Sequence, residues 1–264
     1  AVKFEGLQRV NPEYLETRAE VHAGDTVDSA KISAEAQRMS ALQEFESVSY
    51  TLSGDPANPT LEWWPKEKSY GPNYLKFDLG LYGSEGGDIG FVIYGKHTRT
   101  WLNSLGAEWR NEVQLGYYNN LSTSLYQPLD VAQRFFVEPR AFYVRSWEDV
   151  FLDNERLATY KFSDLGANID LGVNLSDDAQ FRVGYLYTKR NTSVETGSTL
   201  LPEDEHTDAG FTAAATYDSR DTAFNPTRGG AVALEYFYSD DSLGGDFDWQ
   251  RIELGLGLAV PVRK

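Results

Sequence analysis

Asp218, Arg220 and Asp221 alternate in charge within a few residues of Arg228, and Glu203-Asp204-Glu205-His206-Thr207-Asp208 gathers four carboxylates around a histidine. The first cluster could clamp a periplasmic turn, be no more than solvated turn charge, or serve catalysis. Without an activated nucleophile or a paired base beside it, the clamp is the better reading. The second has the donor types that hard cations favour, but its spacing matches no EF-hand loop. It reads as a solvated acidic external loop. Of the other two histidines, His22 and His97, the latter lies among Lys96, Thr98 and Arg99 and reads as an isolated lumen or turn histidine. The chain contains no cysteine, so thiol nucleophiles, disulfides and Cys-ligated zinc are excluded. Trp63-Trp64 is a candidate partner contact.

The elements that must carry these residues change character near residue 69. Before it, Val2, Phe4 and Leu7 suggest a short strand, and Asn11-Pro12 supplies a cap and first residue for a helix to about Val21. Asp25 to Asp28 caps a second helix, in which Ile32, Ala36, Met39 and Leu42 share a face. Two β-like segments follow, Val48 to Ser53 and Thr60 to Trp64, separated by a run of turn formers. This β-α-α-β-β order suits two helices on a three-stranded sheet.

From Tyr70 onward the period is two. Leu75, Phe77, Leu79 and Leu81 oppose Lys76, Asp78 and Gly80, and Ile252, Leu254, Leu256 and Leu258 oppose Arg251, Glu253, Gly255 and Gly257. Ten such segments are predicted, at 74–82, 88–100, 105–118, 120–128, 134–145, 159–174, 179–191, 208–221, 229–239 and 247–261. They run to about 9–14 residues, where globular strands average about 5–6 and a bilayer needs about 9–11. The connections Gly83–Gly87, Asn119-Asn120, Ser146–Ala158, Thr192–Thr207 and Asp240–Asp246 fall on one side. Shorter turns, including Leu102-Asn103-Ser104, Leu175–Asp178 and Asn225–Arg228, fall on the other. Together these describe an antiparallel transmembrane β-barrel with long loops on one rim and aromatic girdles formed by residues such as Tyr82, Trp101, Tyr187, Tyr236 and Trp249.

Net charge is −16, from 24 Lys and Arg against 40 Asp and Glu, which argues against nucleic-acid binding. Residues 83–88, 146–158, 191–208 and 239–248 carry most of the barrel's excess acid, with Arg156 as their one base. If that rim faces outward, divalent cations are expected to bridge it to lipid phosphates.

At Glu67-Lys68-Ser69-Tyr70-Gly71-Pro72-Asn73-Tyr74-Leu75-Lys76-Phe77 the sequence resembles the junction between a POTRA domain and a BamA-type barrel, most of all that of the patatin-like type Vd autotransporters. Ala41 to Tyr50 resembles the POTRA segment leading into its second strand. Tyr217-Asp218-Ser219-Arg220-Asp221-Thr222-Ala223-Phe224-Asn225-Pro226-Thr227-Arg228-Gly229-Gly230 resembles the D-x-R-D-x-x-F-x-P-x-R-G strand and turn of these barrels. The resemblance implies a small α+β POTRA domain over 1–69, in the periplasm, and the first ten of sixteen strands of an outer-membrane barrel over 70–264. It singles out Gly71, Pro72, Asn73 and Tyr74 at the junction, and Asp218, Arg220, Asp221, Phe224, Pro226, Arg228 and Gly229 as a structural motif. The family's V-R-G-F-like loop and six further strands are then expected beyond Lys264. A patatin enzyme needs a nucleophile elbow, and G-x-S-x-G is absent here, so catalysis is not expected of these residues. The implied role is a translocator or anchor for an amino-terminal lipolytic passenger, without a cofactor. Implied partners are outer-membrane lipid and lipopolysaccharide, the passenger or another polypeptide, and the BamA machinery for insertion, with a homodimer open. The alternatives are a BamA/TamA-like assembly or two-partner secretion factor, and a passive porin or adhesin.

Overall fold

The computed structural model describes residues 1–42, 44–55, 58–83, 89–153, 155–198, 200–222 and 226–261. It divides into two compact units. The first contains residues 1–74 together with 98–109 and 127–133; the second contains 75–97, 110–126 and 134–264.

The first unit begins with β1 (Val2–Phe4), α1 (Pro12–Arg18), α2 (Ser29–Ser40), β2 (Phe45–Asp55) and β3 (Asn58–Glu67). The Asn11 side chain accepts from the Glu13 N–H at 3.0 Å, and Asp28 accepts from Ala30 and Lys31 at 2.9 and 3.3 Å, so each helix has an orphan donor satisfied at its start. The strands order β1-β3-β2, with β1 parallel and β2 antiparallel to β3. Ile32 and Met39 of the predicted helix face are buried, with Ala36 and Leu42 packed beside them, on Leu15, Phe45, Leu61 and Trp63. Each fully buried side chain of this kind contributes about 1.5–3 kcal/mol of transfer free energy. Periodicity did not anticipate Glu35, which is buried in the same helix; it accepts from the Glu20 N–H and pairs with Arg38 at 2.8 Å.

The connections 98–109 and 127–133 complete this unit. Trp101 and Val131 pack against its core, and Trp101 meets Tyr14 edge to face at 5.3 Å. Trp101 holds a left-handed backbone, φ 53°, which a non-glycine residue adopts at a cost of about 1 kcal/mol or more. The girdle role expected for Trp101 is therefore corrected: its ring is taken up by protein.

The remaining strands are β4 (Asn73–Gly83), β5 (Ile89–Arg99), β6 (Glu108–Gly116), β7 (Tyr118–Pro128), β8 (Phe135–Leu152), β9 (Glu155–Asn174), β10 (Ala179–Thr196), β11 (Asp204–Asp218), β12 (Gly229–Ser239) and β13 (Trp249–Ala259). They form one ten-stranded antiparallel sheet in chain order, with β4 and β13 at its ends. One face presents Leu75, Phe77, Leu79, Leu81, Ile169, Leu171, Leu254 and Leu256, all exposed. The other buries polar groups, among them Glu138, Asp170 and Asp208.

Three expectations about connections change, one of them Thr192–Thr207, which shortens because β10 runs on to Thr196 and β11 already opens at Asp204. Ser146–Ala158 is a continued hairpin, paired from Ser146↔Phe162 to Leu152↔Glu155, because its residues keep the ladder hydrogen bonds even where the side chains turn polar. The tight turn expected at Asn119-Asn120 lies earlier, between Gly116 and Tyr118. Gly116 takes φ 149° and the Asn119 side chain accepts its N–H at 2.9 Å. Gly83–Gly87 falls outside the described residues beyond Gly83, as does the side chain of Tyr82.

Candidate functional site

The strand-and-turn motif after β11 is held by its own side chains. Arg220 grips Asp218 through two hydrogen bonds, Nε–Oδ1 2.8 Å and Nη2–Oδ2 2.6 Å. Asp221 accepts from the Thr227 hydroxyl at 2.5 Å, the Thr227 N–H at 2.9 Å and the Arg228 N–H at 3.4 Å. The Thr227 hydroxyl and N–H, helped by Arg228, hold the Asp221 carboxyl down at about 2. Ser219 and Gly230 close the base of the turn, backbone to backbone at 2.9 Å. Gly229 has φ 102°, and a Cβ there would lie 2.3 Å from the Ser219 carbonyl oxygen, so only glycine passes. Pro226 is half-buried and Arg228 exposed; Phe224 lies outside the described residues. The side-chain bonds of Arg220 and Asp221 are internal to the turn, which is the geometry of a clamp, while the Asp218 N–H donates to the Asp178 carbonyl of the neighbouring turn at 2.8 Å.

At the junction, Glu67 at the end of β3 collects four donors. Its Oε1 accepts from the N–H groups of Gln8, Arg9 and Val10 at 3.0, 2.9 and 3.1 Å, and its Oε2 accepts from Arg9 Nε at 2.8 Å. Burial alone raises its pKa, but these donors outweigh burial and hold the carboxyl below its ordinary value. Arg9 continues to the Lys68 carbonyl at 2.9 Å and lies against Gly71, where a Cβ would come within 2.6 Å of its guanidinium. The Pro72 carbonyl accepts from Thr100 at 3.0 Å, Asn73 opens β4, and Tyr74 meets Tyr70 edge to face at 5.8 Å. Asn11 Nδ2 donates to the Ser104 carbonyl at 3.0 Å. Near these contacts Glu44 is pushed above its ordinary pKa by burial, reinforced by the Glu108 carboxylate and opposed by a hydrogen bond from Trp101.

The tryptophan pair divides. Trp63 is fully buried and stacks with Phe4, so a partner contact through it is corrected; alternation along β3 turns it into the core. Trp64 faces the other way, half-exposed, with its Nε1 donating to Thr51 Oγ1 at 3.2 Å.

Charged side chains stitch the polar face of the large sheet. Glu138 of β8 lies 3.5 Å from both Arg110 of β6 and Arg182 of β10, and Arg182 also reaches Asp170 of β9 at 3.5 Å. Ser124 donates to Glu138 at 3.0 Å, and Lys96 pairs with Glu112 at 3.0 Å. They line a cleft of about 290 Å³. Nearer the long hairpins, Arg190 takes Asp164 in a fork at 2.9 Å and Asp208 at 3.6 Å, while Trp249 Nε1 donates to Asp208 at 2.9 Å. His206 reaches this group through Asp208, at 3.7 Å from Nε2, and its Nδ1 lies 2.5 Å from Asp204. His97 is on the opposite face, bonded to Asn111 at 3.2 Å, because its parity follows Phe91 and Ile93. Sequence reasoning assigned no role to this network, although the inward parity of Arg110 and Glu112 was its visible sign. Among the described residues, the carboxylates of Asp240, Asp241 and Asp248 also come within 4.8 Å of one another. They cap their own turn through Ser242, Tyr238 and the Asp241 N–H.

A meander of long strands, apolar on one face and ionic on the other, with Arg220 holding Asp218 and Thr227 holding Asp221 after β11, narrows the family. Residues 103–264, more than half of the chain, match the Omp85 superfamily domain. The chain belongs to the Omp85 superfamily. Its fold resembles that of BamA from Haemophilus ducreyi lacking POTRA domains 1–3, with TM-score 0.68 and 16% identity over 97% of this chain and 50% of that one. It also resembles CdiB from Acinetobacter baumannii, with TM-score 0.55 and 9% identity over 97% and 47%. This Omp85 chain thus spans about half the length of each, and at such identities the likeness is one of fold. It is an outer-membrane β-barrel protein, as the strand periodicity predicted.

Proposed function

We propose that this Omp85 chain is the translocator and anchor of a patatin-like type Vd autotransporter. The small β-α-α-β-β domain acts as a single periplasmic POTRA, and the barrel presents an amino-terminal lipolytic passenger at the cell surface. The observation that carries this reading is the junction, where Glu67, Arg9 and Gly71 tie the end of β3 to the opening of β4 through the motif that resembles this branch. The chain itself supplies anchorage and an exposed sheet edge for an extended segment, and leaves ester hydrolysis to the passenger. Its insertion depends on the BamA machinery.

The test is to read the gene upstream of Ala1 and to express the whole product in a Gram-negative host. A G-x-S-x-G domain that reaches the surface of intact cells, and fails to do so when residues 70–264 are deleted, supports the proposal. An upstream region made of further POTRA-like repeats, with general loss of other outer-membrane proteins on depletion, would instead establish an assembly or secretion factor, the reading favoured by the likeness to BamA and CdiB.

A further inference from the structure

The outward face of the large sheet does not stay apolar along the three longest strands. On β9 the outward residues run Leu171, Ile169, Ala167, Leu165 and then Ser163, Lys161 and Thr159. Leu165 is the last exposed apolar side chain of this column before the end of the hairpin, where Leu157 is exposed again. Its rung is Tyr143, Leu165, Lys189; the next outward rung is Arg145, Ser163, Asn191; the one beyond is Trp147, Lys161, Ser193. Neighbouring strands are about 4.8 Å apart and successive outward residues about 6.8 Å, so Arg145, Lys161 and Lys189 surround Ser163 at the range of one or two phosphate groups.

We propose that this patch binds the phosphates of the surrounding lipid leaflet, with a bis-phosphorylated glucosamine lipid as occupant. Three observations argue for a lipid. The patch continues a face that is already lipid-directed, and Tyr143, Trp147 and Tyr187 flank it as interfacial aromatics do. The set is rich in donors, with one guanidinium, two ammonium groups, the Ser163 hydroxyl and the Asn191 amide, which suits a phosphate oxyanion. Finally, some donors are unspent. Arg145 bonds the Tyr143 hydroxyl at 2.9 Å and lies over its ring, and among the described residues no carboxylate pairs with it. The Ser193 hydroxyl, opposite Lys161, is shielded without a hydrogen-bond partner among them. The two lysines lean on Glu195 and Glu205 at 3.1 and 2.5 Å, so the occupant competes with exposed pairs that hold weakly. The site rests on the proposed orientation only in that the long hairpins face the leaflet carrying this lipid.

The protein purified in mild detergent is mixed with bis-phosphorylated lipid A, with its dephosphorylated form, or with lipid A plus inorganic phosphate, and bound lipid is counted by native mass spectrometry. Retention of the phosphorylated lipid alone, unaffected by inorganic phosphate and weakened about tenfold in Arg145→Gln/Lys161→Gln/Lys189→Gln, supports the site. Arg140→Gln, on the opposite face, should leave retention unchanged. Equal retention by the triple variant, equal retention of the dephosphorylated lipid, or displacement by inorganic phosphate would overturn it. Heat-dependent gel mobility reports folding, and Arg145→Gln alone replaces the triple variant if that fails to fold. Orientation is read separately, by labelling Ser198→Cys on intact cells; the chain has no other cysteine.

Discussion

At Asp221 a single carboxylate orders a turn, and its protonation should be measurable. Its folded pKa of about 2 lies below the ordinary carboxylate value of about 3.9, so the unfolded state binds the proton more readily. The stability it contributes is complete above about pH 4 and is lost as pH falls through 2. Heat-shift midpoints measured from pH 5 to pH 2 should therefore fall less steeply for Asp221→Asn than for the parent; parallel curves would remove the carboxylate from the account. At Gly229 the constraint is steric. Gly229→Ala forces a Cβ into the Ser219 carbonyl at a left-handed φ and should cost about 2 kcal/mol, seen as a lower midpoint in thermal denaturation. Glu67→Ala strands the Gln8, Arg9 and Val10 N–H groups together with the Arg9 Nε–H, and should cost about 2–3 kcal/mol by urea titration, while Glu67→Gln should recover part of that. None of these costs could be read from the residue names. The motif 217–230 was recognisable in the sequence, but that Thr227 supplies Asp221 with both a hydroxyl and an amide depends on a turn only the fold closes.

Among the elements, β8, β9 and β10 are 18, 20 and 18 residues long, about 60 Å of strand, where a bilayer needs about 9–11 residues. Their outer portions stand clear of the hydrocarbon layer, so removing 147–160 and closing the hairpin with Asn-Gly should leave heat-dependent mobility intact; collapse of that mobility would mean the extension is needed for folding. Strand positions were legible because lipid on one side and polar groups on the other enforce a period of two. The ends were less legible. Past Tyr143 the alternation of Arg145, Trp147 and Asp149 carries no hydrophobic signal, and only the backbone ladder shows that the hairpin continues. Trp101 misled for a related reason: an aromatic residue at a strand end looks the same whether it meets lipid or a neighbouring core. Trp101→Ala removes a ring from against Tyr14 and should cost about 3 kcal/mol, making residues 1–74 measurably more sensitive to limited proteolysis.

For the whole molecule, the sheet has two ends, and β4 and β13 each have one neighbour in it. Unpaired strand edges in lipid or detergent must find partners. Expressed as residues 1–264, the protein should therefore run as dimers or larger species after amine crosslinking in detergent; a homogeneous monomer would show that the two ends meet. The ionic face explains how so hydrophilic a chain, with mean hydropathy −0.47, can span a membrane: its charges are spent on one another, Glu138 on Arg110 and Arg182, and Asp164 and Asp208 on Arg190. The grouping of residues 98–109 and 127–133 with the small domain bears on timing. Trp101 and Val131 leave the ribosome long after the helices they support, and the strands bearing them must be in place before they can dock. The small domain is thus finished by these two connections, and its protection from protease during biogenesis becomes a clock for how far the chain has folded.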